Sequence, residues 1–157
     1  MTTKQRDYAR LAGFAAAIVA VDQFTKQLAL NTLEGAPITL IPRWLAFRLT
    51  YNPGGAFGFL HQAPWLFLVA GLVIVVVILV WAGRLEDPRL ITPLGLVLGG
   101  GVGNLSDRVF RDLGGRVVDF IDLSFWPTFN VADMAIVFGV ILIVLGGFRS
   151  DPVQAEA

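Results

Sequence analysis

Long apolar stretches alternate with polar segments along this chain. Four of them can be read directly, at Leu11–Leu30, Trp65–Ala82, Leu90–Leu105 and Val131–Phe148. Each is close to the roughly 20 residues that a helix needs to cross a hydrocarbon core about 30 Å thick. The pattern predicts one integral-membrane domain over residues 1–157, with transmembrane helices at about 11–30, 65–82, 90–109 and 131–148.

The first stretch admits a second interpretation. Lys4, Arg6 and Arg10 precede it, which is also typical of a cleavable signal peptide. The helical pattern continues into Asp22 and Lys26, however, without a convincing small-residue cleavage site. A retained helix is therefore the favoured interpretation.

Composition agrees with a membrane protein. Hydrophobic residues make up 55% of the chain and charged residues 15%, and the mean hydropathy is +0.69, which is outside the range of ordinary soluble domains. The chain has no cysteine, so it has no disulfide framework and no thiol nucleophile. Its formal net charge of zero gives no indication of a nucleic-acid partner.

Four crossings would bring both long loops, residues 31–64 and 106–130, to the same side of the membrane. Lys and Arg residues are divided almost evenly between the two sides, so charge barely determines the orientation. The basic residues before the first helix favour cytoplasmic termini.

The first loop shows a period-two pattern over residues 43–51, which predicts a short amphipathic strand. The predicted fold class is an all-α membrane protein with four transmembrane helices and a small extracytoplasmic β element between helices 1 and 2. That element either offers an edge to an extended peptide or only stabilises the loop.

Two aspartates are the main candidates for chemistry. Asp119 lies in Val-Val-Asp-Phe and Asp133 in Phe-Asn-Val-Ala-Asp, both beside apolar segments where an unpaired carboxylate is costly. If the loop between them folds back, they would share a proton and could act as general acid and base. The alternative for Asp133 is a helix-start residue stabilised by the helix dipole.

Further polar residues fall at helical spacings near the same face. Asn104, Asp107 and Arg108 share one side of helix 3, where they form either a polar cluster or a solvated helix end. Asp22 and Lys26 are predicted to neutralise each other on helix 1. Asn130 shares a face with Asp133.

The single histidine and three regularly spaced glycines complete the picture. His61 has no partner set for a metal site or a catalytic triad, so no metal and no cofactor are expected. Gly95, Gly99 and Gly103 form a smooth stripe on which another helix can pack closely.

Taken in order, five motifs resemble the lipoprotein signal peptidase family, also called signal peptidase II, over residues 10 to 148. They are Val21-Asp22-Gln23, Asn52-Pro-Gly-Gly-Ala-Phe-Gly58, Gly103-Asn104-Leu-Ser-Asp107-Arg108, Val117-Val-Asp119-Phe and Phe129-Asn130-Val-Ala-Asp133. Gly55 departs from this pattern, since alanine is common there.

The resemblance implies an aspartic endopeptidase that removes signal peptides from diacylglyceryl-modified prolipoproteins by cleaving before the lipidated cysteine. It implies that Asp119 and Asp133 are catalytic. The residues that would support the pocket are Asp22, Lys26, Asn52, Gly54, Asn104, Asp107, Arg108 and Asn130.

The resemblance also implies a location in the bacterial inner membrane, with cytoplasmic termini and an active site near the outer leaflet. The expected partners are prolipoproteins and membrane lipids, and the expected state is a monomer. A proton-coupled small membrane transporter is the alternative function, because intramembrane Asp residues also form proton relays. A purely structural membrane subunit is a weaker alternative.

Overall fold

The computed structural model describes residues 2–54, 64–82, 84 and 87–147. In these residues four α-helices accompany one antiparallel sheet whose four strands follow chain order. The helices are α1 (Thr3–Thr32), α2 (Pro64–Ala82), α3 (Ile91–Phe110) and α4 (Val131–Gly147). The strands are β1 (Ile38–Ile41), β2 (Leu45–Asn52), β3 (Val117–Leu123) and β4 (Trp126–Phe129).

All four predicted helices are present, and most of their ends differ from the predicted ends by a few residues. The exception is α1, which begins at Thr3 rather than near Leu11. A capping box explains the earlier start: Thr2 Oγ1 accepts a hydrogen bond from the Gln5 backbone, and Gln5 Oε1 accepts one from the Thr2 backbone. Among the described residues, no helix has both the length and the apolar run required to cross a membrane.

The predicted four helices and the β element between helices 1 and 2 are confirmed, but the sheet is larger than the sequence indicated. The first loop supplies β1 and β2, but the second loop supplies β3 and β4, and β2 pairs with β3. The second loop folds back at a turn between β3 and β4, and Trp126 and Pro127 follow that turn in β4. Because β4 is an edge strand, the missing N–H of Pro127 is tolerated.

Helix α3 lies at the centre of the helical layer. The glycine stripe packs against α1 as predicted: a Cβ at Gly95 would lie 2.7 Å from Phe14 Cβ, and one at Gly99 would lie 2.8 Å from the Ala15 carbonyl oxygen. Gly100 approaches the backbone of α4 in the same way, at Ala132. Small residues thus let three helix backbones lie close together.

The sheet packs over one end of this helical layer. Phe120 of β3 is buried with Ala29 and Leu33 at the end of α1, and Phe47 of β2 packs against them. This contact holds β3 above the polar ends of the helices, where most of the candidate site residues lie.

Candidate active site

One cavity of about 540 Å³ lies between α2, α3, α4 and the sheet, and both candidate aspartates line it. Apolar walls come from the helices, including Ile74, Val97 and Ile136. The other polar side chains in the lining include Asn52, Asn104, Arg108 and Thr128. The structure therefore brings together residues that are far apart in sequence.

Strand pairing determines the surroundings of Asp119. Thr50 of β2 pairs with Asp119, so Asn52 is its diagonal neighbour across the strands. Asn52 Nδ2 donates a 2.8 Å hydrogen bond to Asp119 Oδ2. Asn130 Nδ2 donates a 2.6 Å bond to Asp119 Oδ1. Asp119 is only 1% exposed, and both carboxylate oxygens accept hydrogen bonds.

The start of α4 holds Asp133. Asn130 precedes the helix as its N-cap residue, and its Oδ1 accepts a 2.9 Å hydrogen bond from the Asp133 backbone. In return, Asp133 Oδ2 accepts a 3.2 Å bond from the Asn130 backbone. Asn104 Nδ2 donates a 2.8 Å bond to Asp133 Oδ1. Asp133 is thus a helix-start residue and a cavity residue, so the two interpretations from the sequence are compatible.

Asn130 connects the two aspartates. Its amide nitrogen faces Asp119 and its amide oxygen faces the backbone of Asp133. Burial and the charge of Asp133 raise the pKa of Asp119 to about 7, although hydrogen bonds from Asn52 and Asn130 oppose the shift. A group with that pKa can hold or release a proton near neutral pH.

A buried ionic cluster lies next to these residues. Lys26 Nζ is 2.8 Å from Asp22 Oδ2 and 3.0 Å from Asp107 Oδ2, and all three side chains are fully buried. The predicted Asp22–Lys26 pair is therefore present. Asp107 also accepts hydrogen bonds from Gln23 and from the backbone of Val118, which joins the cluster to β3.

Two members of the cluster were missed from the sequence. Gln23 Nε2 lies within hydrogen-bond distance of both Asp22 and Asp107. Arg111 Nε donates to Asp107 at 2.8 Å and Arg111 Nη2 donates to Gln23 at 3.1 Å. The spacing of four residues between Asp107 and Arg111 on one helix was the available signal.

Arg108 supports the loops around the cavity. Its Nη1 donates to the carbonyl oxygens of Gly115 at 2.7 Å and Pro53 at 3.4 Å. The neighbouring Gly54 has a φ of 136° and donates a 2.8 Å hydrogen bond from its backbone to Asn52 Oδ1. The rest of that motif, Gly55–Gly58, and His61 lie outside the described residues.

The side chains of the described residues include no group of three or more acidic residues or histidines arranged to hold a metal ion. Asp122, on the same strand as Asp119, is a partly exposed surface residue that pairs with Arg48 at 2.9 Å.

The arrangement at Asp119 and Asp133 can perform general acid–base chemistry on a molecule in the cavity, because two coupled carboxylates can hold one proton between them.

Comparisons with known proteins agree with this geometry. A family model described as signal peptidase (SPase) II matches residues 14–149. A lipoprotein signal peptidase of Streptomyces coelicolor is 44% identical over 146 residues, covering 88% of this chain and 72% of that protein. One from Pseudomonas syringae pv. tomato is 42% identical over 145 residues, covering 85% and 82%.

A solved structure, a bacterial membrane enzyme determined by the in meso method, is also similar. It superimposes with a TM-score of 0.80 at 29% identity and covers 92% of both chains. Neither these relatives nor this structure supports the transporter hypothesis.

Proposed function

This chain belongs to the signal peptidase II family of proteases, and from that premise we propose that Asp119 and Asp133 are its catalytic dyad. The observation that carries the proposal is their position in one cavity, linked through Asn130. The proposed substrate is a diacylglyceryl-modified prolipoprotein, cut before the lipidated cysteine.

The dyad would work with one proton. The ionised carboxylate takes a proton from a water molecule while the oxygen of that water attacks the scissile carbonyl carbon. The protonated carboxyl gives its proton to the carbonyl oxygen. Collapse of the resulting diol breaks the C–N bond. The carboxyl group that took the proton of the water gives it to the leaving nitrogen, and the other carboxylate takes a proton from a hydroxyl of the diol, so the dyad again holds one proton. The products are a signal peptide with a free carboxyl group and a new amino-terminal lipidated cysteine.

We also propose that, although no described helix by itself has the length and apolar run required to cross a membrane, the four helices together span the bacterial inner membrane, with both termini in the cytoplasm and the sheet near the outer leaflet. Large apolar side chains on α2 and α4 support this placement. Val77 of α2 is 58% exposed and Phe138 of α4 is 57% exposed, which suits contact with lipid tails. A monomer is the state expected in the membrane.

The walls of the cavity fit this substrate class. Apolar side chains of three helices face the same space as the dyad, so a hydrophobic signal peptide and the lipid on the cysteine that follows it can enter from the bilayer. Apolar contacts away from the scissile bond supply binding energy, and this energy holds the scissile bond in position next to the dyad.

The test is cleavage of a purified diacylglyceryl-modified prolipoprotein by the detergent-solubilised protein, with and without a chelator. Asp119→Asn and Asp133→Asn are compared with Asp122→Asn, a matched control that removes a carboxylate from the same strand but outside the cavity. The parent and the control should cut before the lipidated cysteine, and both dyad variants should lose at least about 1,000-fold in kcat.

Either of two results would overturn the proposal. One is normal cleavage by a dyad variant, which would show that its carboxylate is not required. The other is loss of cleavage with the chelator, which would show that a metal ion takes part in the reaction.

A further inference from the structure

Four N–H groups face the four carboxylate oxygens of the dyad. Asn52 and Asn130 donate to the two oxygens of Asp119. Asn104 and the backbone of Asn130 donate to the two oxygens of Asp133. Three of these donors are side-chain amides, and an amide that turned over would present an oxygen to a carboxylate instead. Something must therefore keep each amide in the donating orientation.

Two of the amides are held by backbone groups. The Gly54 N–H donates to Asn52 Oδ1, and the Asp133 N–H donates to Asn130 Oδ1. A backbone N–H can only donate, so the atom that faces it must be the amide oxygen. The amide nitrogen of each asparagine then points at the dyad.

Asn104 is held by a side chain instead. Lys26 Nζ lies 3.0 Å from Asn104 Oδ1, and a lysine ammonium group has three donors and no acceptor. Asn130 Nδ2 also lies 3.1 Å from the same oxygen. With both donors on Oδ1, Asn104 Nδ2 is left to donate to Asp133.

Lys26 itself is fully held in place. Its three N–H groups match three acceptors: Asp22 at 2.8 Å, Asp107 at 3.0 Å and Asn104 at 3.0 Å. The side chain is completely buried between α1 and α3. Its donors therefore have fixed directions, unlike those of an exposed lysine.

We propose that Lys26 is a positioning residue of the reaction, which holds the Asn104 amide so that it donates to Asp133. This inference rests on the proposed dyad. Without Lys26, only the 3.1 Å contact from Asn130 Nδ2 remains on Asn104 Oδ1, so the amide can turn its oxygen towards Asp133. There the oxygen repels an ionised carboxylate and accepts a hydrogen bond from a protonated one. The doubly protonated, inactive dyad then persists to higher pH.

Removing the positive charge of Lys26 would move the pH profile in the same direction as turning the Asn104 amide. The effect of charge and the effect of amide orientation must therefore be separated. The charged groups around Lys26 are Asp22 from α1, Asp107 from α3 with Arg111 beyond it, and, at longer range, Asp119 from β3 and Asp133 from α4. Arg111 carries the same charge in the same cluster but contacts Gln23, Gln27 and Asp107 rather than Asn104. Arg111→Met is therefore the matched control.

A double-mutant cycle distinguishes orientation from charge. Lys26→Met should lower kcat by about 100-fold, leave KM within about threefold, and move the acidic limb of the kcat–pH profile upwards. In an Asn104→Ala background, where there is no amide to orient, Lys26→Met should lower kcat by less than about threefold. Arg111→Met should lower kcat much less than Lys26→Met does, and it should move the acidic limb of the profile by less.

The inference is overturned if Lys26→Met retains its full effect in the Asn104→Ala background, because the lysine would then act without the amide. It is also overturned if Arg111→Met shifts the profile as much as Lys26→Met. Asp119→Asn and Asp133→Asn are measured in parallel. If these variants cut normally, the proposed dyad is wrong. If they are inactive but the effects of Lys26→Met and Asn104→Ala on kcat simply add, the dyad stands and this inference fails.

Folding of Lys26→Met is checked by thermal unfolding. If that variant does not fold, the cycle is repeated in an Asp22→Asn background. Asparagine at residue 22 removes one of the two carboxylates that Lys26 neutralises, and its amide oxygen can still accept the hydrogen bond from the Ala132 backbone. The same coupling between residues 26 and 104 is expected there, and additivity would again overturn the inference.

Discussion

Gly103 lies directly against Asp22 across the α1–α3 interface. A Cβ built at residue 103 would lie 2.7 Å from Asp22 Oδ2, the oxygen that pairs with Lys26 at 2.8 Å. The other oxygen of Asp22 accepts a hydrogen bond from the Ala132 backbone of α4. The absence of a side chain at residue 103 thus lets one carboxylate join three helices.

Gly103→Ala should lower the free energy of unfolding by about 1–3 kcal/mol, because a held carboxylate must move to admit the methyl group. Thermal or denaturant unfolding in detergent measures this. Gly13→Ala is the matched control on α1, since nothing lies within 4 Å of its Cβ position, and it should be neutral or stabilising by up to about 1 kcal/mol. Equal effects of the two substitutions would contradict the close contact.

Asn130 has two roles that substitution can separate. Asn130→Ala removes the cap of α4 and the donor to Asp119, whereas Asn130→Ser keeps a good cap acceptor but not the amide donor. Serine should recover about 1 kcal/mol of the stability that alanine loses. Both variants should lose about 100-fold in kcat. If serine restored both stability and kcat, the donor to Asp119 would be unimportant.

Gly54 should be sensitive because of its backbone. At a φ of 136° a side chain is strained, and the N–H of the residue holds Asn52. Gly54→Ala should lower kcat at least about tenfold and cost about 1–3 kcal/mol of stability. Gly35→Ala is the control in the same loop, since its Cβ position is open. An unchanged kcat in Gly54→Ala would show that Asn52 does not need this support.

Activity should fall as pH rises through neutrality. Burial and the charge of Asp133 raise the pKa of Asp119 to about 7, so the proton that the proposed dyad needs is lost above that pH. The measurement is kcat against pH with saturating lipidated substrate. A flat profile between pH 6 and 9 would contradict the raised pKa.

The same shift predicts how stability depends on pH. A carboxyl group whose pKa is higher in the folded state than in the unfolded state binds more protons when folded, so its contribution is complete below about pH 4 and disappears as pH rises through about 7. Asp119→Asn removes this contribution. The melting temperature of the parent should therefore fall more steeply between pH 4 and 7 than that of Asp119→Asn, and parallel curves would contradict the shift.

Several features of this protein follow from the sequence alone because they depend on local spacing. Long apolar runs determined the four helices, and glycines at intervals of four determined the close contact of α3 with α1. The spacing of four between Asp22 and Lys26 was enough to pair them. The cost of a carboxylate beside apolar segments made Asp119 and Asp133 candidates for chemistry, and the order of five short motifs added the family resemblance; their catalytic role stays a prediction.

Only the tertiary structure decided how the distant segments meet. The pairing of β2 with β3 places Asn52 beside Asp119, and no pattern in either loop determines that register, because strand pairing depends on both partners. The amide orientations of Asn52, Asn104 and Asn130 depend on donors that come from other turns, strands and helices. Hydrogen bonds between residues far apart in sequence carry no local periodicity, so this network became visible only once the chain was folded.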